Sequence, residues 1–217
     1  FKPKTLIKKY NIIIIIFVII QREIWRSNLM YKPFLTLLLL TMLAPSTVHS
    51  DISKAFPDMT NVFKEVSFFD ENNNMEKFKN HKDKVLLVFF GYTHCPDVCP
   101  TTVLDMARVL KSLGSQADEV LPMFVSVDYL RDDYKKVREY VDFFDSRIAA
   151  LASDKNNIDA MTDFFKTRYE FVEPINESYI VEHSSNLYVL DKELQVRKII
   201  PNGIPSSEIT KIVKSFL

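Results

Sequence analysis

The run Val85-Leu-Leu-Val-Phe-Phe90 holds six apolar residues with no polar position between them. Alternation with period two marks a strand with one wet face, and its absence in a short β-favouring run predicts a strand covered on both faces. A chain carrying such a strand must supply helices to cover its sheet, which points to an α/β domain. The run leads directly into Gly91-Tyr-Thr-His-Cys-Pro-Asp-Val-Cys-Pro100, where Cys95 and Cys99 are the only two cysteines among 217 residues. Two thiols kept together at the tip of one strand act as a metal clamp, a redox pair or a structural bridge.

Pro100 suits the first position of a helix, and Val103, Met106, Ala107, Leu110 and Leu113 then recur at helical spacing until Gly114 supplies a stop. Residues 120–127 repeat the buried-strand signal, and Tyr134, Val137, Val141 and Phe144 mark a second helix. A short strand is expected at 148–151, then a third helix capped by Asn157 with Ile158, Met161, Phe164 and Phe165 inward. Before the first of these strands, residues 63–69 and the polar turn Asn72-Asn-Asn74 predict an early hairpin. After the last helix, residues 185–190 and 194–200 flank Asp191-Lys-Glu193 as an antiparallel hairpin with a three-residue loop. Ile209, Ile212, Val213 and Phe216 then stripe a final helix, with Ser206 or Ser207 available as N-cap. The order β-α-β-α-β-α followed by a β-β-α unit predicts a thioredoxin-like mixed sheet flanked by helices, in one domain over residues 63–217.

The N-terminal part is different in kind. Two apolar stretches, 12–20 and 34–44, are each shorter than the roughly 20 residues a membrane helix needs. Residues 30–50 fit a signal peptide, with an uncleaved N-terminal membrane anchor as the rival reading. Met30 is then the expected start, residues 1–29 an Ile-, Lys- and Asn-rich upstream extension, and 51–62 a linker. Without residues 1–50 the chain loses seven of its 28 basic and one of its 28 acidic residues, leaving a net charge of −6. That balance, with no basic stripe carrying interleaved aromatics, gives nucleic-acid binding no support. Export would place the thiols where they tend to pair, so a partner that reduces them is implied.

At or just before a helix N-terminus, unpaired backbone N–H groups and the macrodipole favour a thiolate, so both sulfurs are expected to gain nucleophilicity and metal affinity. If residues 96–99 form one helical turn, the two Cα atoms lie about 6 Å apart, within reach of a disulfide and equally of a shared metal. Spacing alone does not separate these uses. A purely structural bridge over three residues would restrain the unfolded chain little. Structural zinc wants four ligands, and one cysteine pair supplies two. His183, in Tyr179-Ile-Val-Glu-His-Ser-Ser-Asn186, precedes the strand expected at 187–190. In a thioredoxin-like fold the chain entering that strand passes beside the cysteine loop, and two thiolates with one imidazole suit Cu(I) and can also hold Cu(II). Taken alone, such a histidine is more often structural or merely exposed. His94 is expected to point away from the pair, His81 to sit in an exposed loop and His49 to leave with the leader. The seven methionines are scattered and form no copper tract, and the charges Arg131-Asp132-Asp133 and Lys135-Lys136 read as the solvated start of a helix.

Phe89-Phe-Gly-Tyr-Thr-His-Cys-Pro-Asp-Val-Cys-Pro-Thr-Thr102, Val125-Ser-Val-Asp128 with Arg131-Asp132, and His183-Ser184 resemble the Sco/SenC proteins, over about residues 63–201. Thioredoxins, by contrast, have two residues between their cysteines and usually an adjacent tryptophan. The resemblance implies a copper chaperone that binds one copper ion through Cys95, Cys99 and His183 and delivers it to the dinuclear copper centre of cytochrome c oxidase. Asp128 matches an acidic position near the family's site and is given an accessory role, with a plain strand-end turn as the competing reading. Tyr129 stands where the family commonly has proline, and Glu182 replaces the usual aspartate before His183.

The implied partners are a copper-receiving oxidase subunit, a thiol reductant and a copper donor, close to a membrane. The expected location is the periplasm or the periplasmic face of a bacterial inner membrane, or alternatively the intermembrane-space side of the mitochondrial inner membrane. No covalent turnover is required of a carrier, so the chain is expected not to be an enzyme. The rival is a thiol-disulfide oxidoreductase that uses Cys95 and Cys99 to reduce cysteines of an oxidase subunit or another exported partner. A thiol peroxidase is a weaker third reading.

Overall fold

The structure is a computed structural model that describes residue 56 and residues 59–77, 83–175 and 178–217. Helix α1 (Met59–Glu65) is followed by strands β1 (Ser67–Phe69) and β2 (Met75–Lys77), then by β3 (Val85–Gly91), α2 (Val98–Leu113) and a 3-10 helix (Gly114–Glu119). Next come β4 (Val120–Ser126), α3 (Tyr134–Asp142), β5 (Ala149–Leu151) and α4 (Lys155–Phe165). The chain closes with β6 (Tyr169–Ile175), β7 (Ser178–His183), β8 (Leu187–Leu190), β9 (Val196–Ile200) and α5 (Ser206–Lys214). The extension at 1–29, the leader or anchor at 30–50, the start of the linker and His81 lie outside the described residues.

Five strands form the central sheet in the order β5-β4-β3-β8-β9. β3 lies in the middle, parallel to β4 and antiparallel to β8, and all seven of its residues are buried, as an apolar run without alternation requires. This is the expected thioredoxin-like mixed sheet, with β8, β9 and α5 as its C-terminal unit. Helices α2 and α5 pack together, as do α1 and α4. The two faces of β3 serve different ends, because side chains alternate along a strand. Phe90 meets Phe165 of α4 and Tyr188 of β8 at centroid separations of 5.2 and 6.1 Å. Its neighbour Phe89, on the other face, meets Phe124 and His183, each at 6.1 Å. Burying each such ring contributes roughly 1.5–3 kcal/mol, so the strand anchors both layers.

Several local expectations need correction. The early hairpin exists as β1-β2, but residues 63–65 are the end of α1, which begins inside the stretch expected as linker. Val62, Phe63 and Val66 are buried at helical spacing, and a short apolar run satisfies either period. The Asn72–Asn74 turn is built by Asp70, whose carboxylate accepts from the amides of Asn72 at 2.9 Å and Asn74 at 2.7 Å. Asp154, not Asn157, caps α4, accepting from the Asn157 amide, while the Asn157 side chain accepts from Ser67 and ties the early hairpin down. Neither serine caps α5, whose N-cap position is Pro205. The β8-β9 connection is five residues long, because Asp191 accepts from the amides of Glu193 and Gln195 and Leu194 takes φ +62°. A second two-stranded sheet, β6-β7, has no counterpart among the expected elements.

Candidate metal centre

The cysteine loop is tethered where it leaves the sheet. β3 ends at Gly91 and leads into Tyr92, and the Val127 amide donates to the Gly91 carbonyl at 2.8 Å, extending the pairing with β4. The buried Asp132 then takes three hydrogen bonds: from the Thr93 amide (2.8 Å), the Thr93 hydroxyl (2.6 Å) and the Ser126 hydroxyl (2.6 Å). The segment read as a solvated helix start therefore has a buried carboxylate at its centre, and only Asp133 caps α3. Asp132 has this place because a buried carboxylate is tolerated when its oxygens are met by donors.

Helix α2 starts at Val98, so Pro100 occupies its third position and not its first. The position is tolerated because the first four helical N–H groups have no intrahelical partner to lose. Cys99 lies inside the first turn at 0% exposure, while Cys95, half-buried, precedes the helix. Both are free thiols. Gly91 explains how Cys99 fits there: a Cβ on Gly91 would lie 2.8 Å from the Cys99 sulfur and 2.9 Å from the Phe124 ring. An isolated glycine at a strand end signals such a close approach, and it is one of only three glycines in the chain.

His183, the last residue of β7, comes from the other side. Its Nε2 stands 3.3 Å from the Cys99 sulfur, and its Nδ1 stands 3.1 Å from the Ser184 carbonyl. A carbonyl only accepts, so Nδ1 carries the proton and Nε2 presents its lone pair to the sulfur. Tyr92 and Phe89 meet the imidazole edge-on at 5.8 and 6.1 Å. An open groove of about 680 Å³ runs past the same histidine between Arg168, Glu170 and Glu182.

Burial pushes the Cys99 thiol well above its ordinary value, and its hydrogen bond with Cys95 pushes the same way. At Cys99 desolvation thus works against the thiolate character expected of a sulfur at a helix terminus. Burial also lowers the His183 pKa, with the Ser184 hydrogen bond opposing it, so the ring is neutral and ready to donate a lone pair. One donor atom from each of Cys95, Cys99 and His183 lies within 4.8 Å of the others. Among the described residues no other group of three or more His, Cys, Asp or Glu side chains is so placed. A soft, partly buried set of two sulfurs and one nitrogen suits copper, and the ring proton held on Ser184 is the usual outer support of a metal-bound imidazole.

Asp128 is fully buried but stands outside this trio, accepting from the Tyr179 hydroxyl at 2.7 Å and pairing with Arg131. His94 is exposed, its ring turned to the Thr93 hydroxyl at 3.0 Å.

Residues 56–217 match the family model described as SCO1/SenC. The SCO2-like protein of Rickettsia prowazekii (strain Madrid E) is 31% identical over 144 residues, covering 65% of this chain and 69% of its own. Among solved structures, Bradyrhizobium japonicum ScoI with copper bound superposes with a TM-score of 0.64 at 30% identity, covering 70% of this chain and 97% of that one. Arabidopsis thaliana ScoI with copper bound gives a TM-score of 0.63 at 27% identity, covering 69% and 94%. With the family match spanning the whole sheet and both arms of the candidate site, the chain belongs to the SCO1/SenC family.

Proposed function

We propose that the protein is a copper chaperone: Cys95, Cys99 and His183 take one copper ion, and the protein passes it to the dinuclear copper centre of cytochrome c oxidase. The observation that carries the reading is the convergence of two sulfurs and one neutral imidazole nitrogen within 4.8 Å, on the fold of relatives whose structures hold copper. Sulfur favours Cu(I), and the nitrogen extends the set to Cu(II). Loading expels the Cys99 proton, because the ligand form of a thiol is the thiolate. Three protein donors leave the copper's coordination open to an incoming partner, so ligands can be exchanged stepwise without covalent turnover, and the protein acts as a carrier and not as an enzyme. Asp128 serves as an accessory residue outside the ligand set.

The oxidase subunit that receives the copper, a copper donor and a thiol reductant are the partners this chemistry calls for. Residues 30–50 act as leader or anchor, which places the domain in the periplasm or at a membrane face bounding it, with the mitochondrial intermembrane space as the equivalent alternative. Anaerobic titration of the reduced protein with Cu(I) tests the reading. The wild type is expected to bind one equivalent, and Cys95→Ala, Cys99→Ala and His183→Ala each to bind much more weakly. Disulfide exchange with a model substrate that survives in His183→Ala, together with no tight copper binding by the wild type, would replace the chaperone with the oxidoreductase.

A further inference from the structure

The two arms of the site belong to different sheets, yet one short loop touches both. Residues 127–133 join β4 to α3 and are folded back on themselves, the Asp132 and Arg131 amides donating to the Asp128 carbonyl at 2.9 and 3.2 Å. Toward the cysteines, this loop offers Asp132, which holds Thr93 through its amide and hydroxyl. Toward the histidine, it grips the β6-β7 hairpin in three ways. Arg131 sits over the Tyr179 ring, its guanidinium carbon 3.6 Å from the centroid, and donates to the Tyr179 carbonyl at 3.0 Å. Asp128 accepts from the Tyr179 hydroxyl and is itself paired with Arg131. Tyr129 packs on Phe171 and Tyr169 at 5.2 and 6.3 Å, and Tyr169 is the register partner of His183. Within the described residues β6 and β7 pair with each other and not with the central sheet, so these contacts supply what a shared ladder would otherwise provide. Arg131 keeps this place although its Nη2 is buried without a partner.

We propose that the loop after β4 is a yoke that sets the distance between the thiol pair and the imidazole, with Arg131 as the positioning residue that holds the His183 arm against Cys99. The copper consequence rests on the chaperone reading, whereas the positioning itself does not. A planar arginine fork stacked on an aromatic ring is suited to this work, and a lysine is not an equivalent substitute. Tyr129 adds a grip that a proline at that position would lack, since proline has no ring of that reach or polarity.

The test uses the whole chain with histidine nitrogens labelled. In the copper-free wild type, NMR is expected to show His183 as a single neutral tautomer with the proton on Nδ1. In Arg131→Met the same signals are expected to collapse to an exchange average. Copper affinity in Arg131→Met is expected to fall about 10- to 100-fold, the usual effect of losing an outer support of a metal ligand. The same substitution in a His183→Ala background is expected to cause no further loss, because the effect passes through that ring. Unchanged His183 signals in Arg131→Met overturn the proposal, as does an equal loss of affinity in the His183→Ala background. Should Arg131→Met fail to fold, Arg131→Lys and Tyr179→Leu are read by the same two criteria. A wild type that binds no copper removes the chaperone reading alone, since the copper-free spectra still decide whether Arg131 places the ring.

Discussion

The thiol arm and the imidazole arm of the site are built to different standards. The thiols grow from β3, the central strand with every residue buried, and from the first turn of a 16-residue helix. The imidazole ends a two-stranded hairpin whose outer face shows Val172 and Ile180, the latter 57% exposed. Parts of a protein held by few buried contacts open at lower free energy than its core. The contrast teaches that the thiol arm of the proposed copper site is a fixed seat, while the imidazole arm is held by a handful of specific contacts and opens at lower free energy.

The sharpest way to break this comparison is to remove one ligand from each arm. Cys99→Ala is expected to weaken Cu(I) binding by more than the roughly 100-fold upper range of outer-support changes. His183→Ala is expected to stay nearer that bound, because both sulfurs remain. Competition titration with a Cu(I) chelator measures both, and equal losses would erase the distinction. Gly91→Ala tests how closely the fixed seat is packed. The new methyl would meet the Cys99 sulfur and the Phe124 ring at under 3.0 Å, so a loss of about 1–3 kcal/mol in urea unfolding is expected. Gly91 does not have a positive φ, so that cost is one of crowding alone.

A smaller effect sharpens the view of the held arm. Burial lowers the folded His183 pKa below its ordinary 6.5, so on acidification the unfolded chain takes up the proton first. The stability of the copper-free protein is therefore complete above about pH 6.5 and declines as pH falls toward the folded value. His183→Asn should remove that slope from a series of thermal melts. The smallest effect is expected on the outer face of the hairpin, where Ile180→Thr should change stability by no more than about 0.5 kcal/mol. A larger loss in chemical unfolding would mean that this face is not free.

Much of the fixed arm is legible in the sequence, and little of the held one. The run 85–90, the helical spacing after Pro100 and the run from 120 are long and regular enough to declare strand, helix and strand, and they place both cysteines at a strand-to-helix junction. His183 is legible as a candidate because it precedes an evident strand, and because the cysteine loop resembles a known family. The hairpin that carries it has no comparable signal. β6 contains Pro174, which argues against a strand, and its exposed apolar residues break the usual contrast between faces. The yoke reads as solvent-facing charge for a related reason. Arg131 meets Tyr179 across 48 residues, and Asp132 meets Thr93 across 39, so no local pattern announces that these charges are tied down by distant partners.

The contact between Cys99 and His183 joins positions 84 residues apart. Between them in the chain lie β4, α3, β5, α4 and the β6-β7 hairpin that ends in the histidine, which is followed by β8, the antiparallel partner of β3. A chain still emerging from the ribosome, with the hairpin not yet made, has both thiols but no third donor beside them. The complete set belongs to the folded domain alone, so binding of copper by all three residues, as proposed above, doubles as a report that the domain has finished folding.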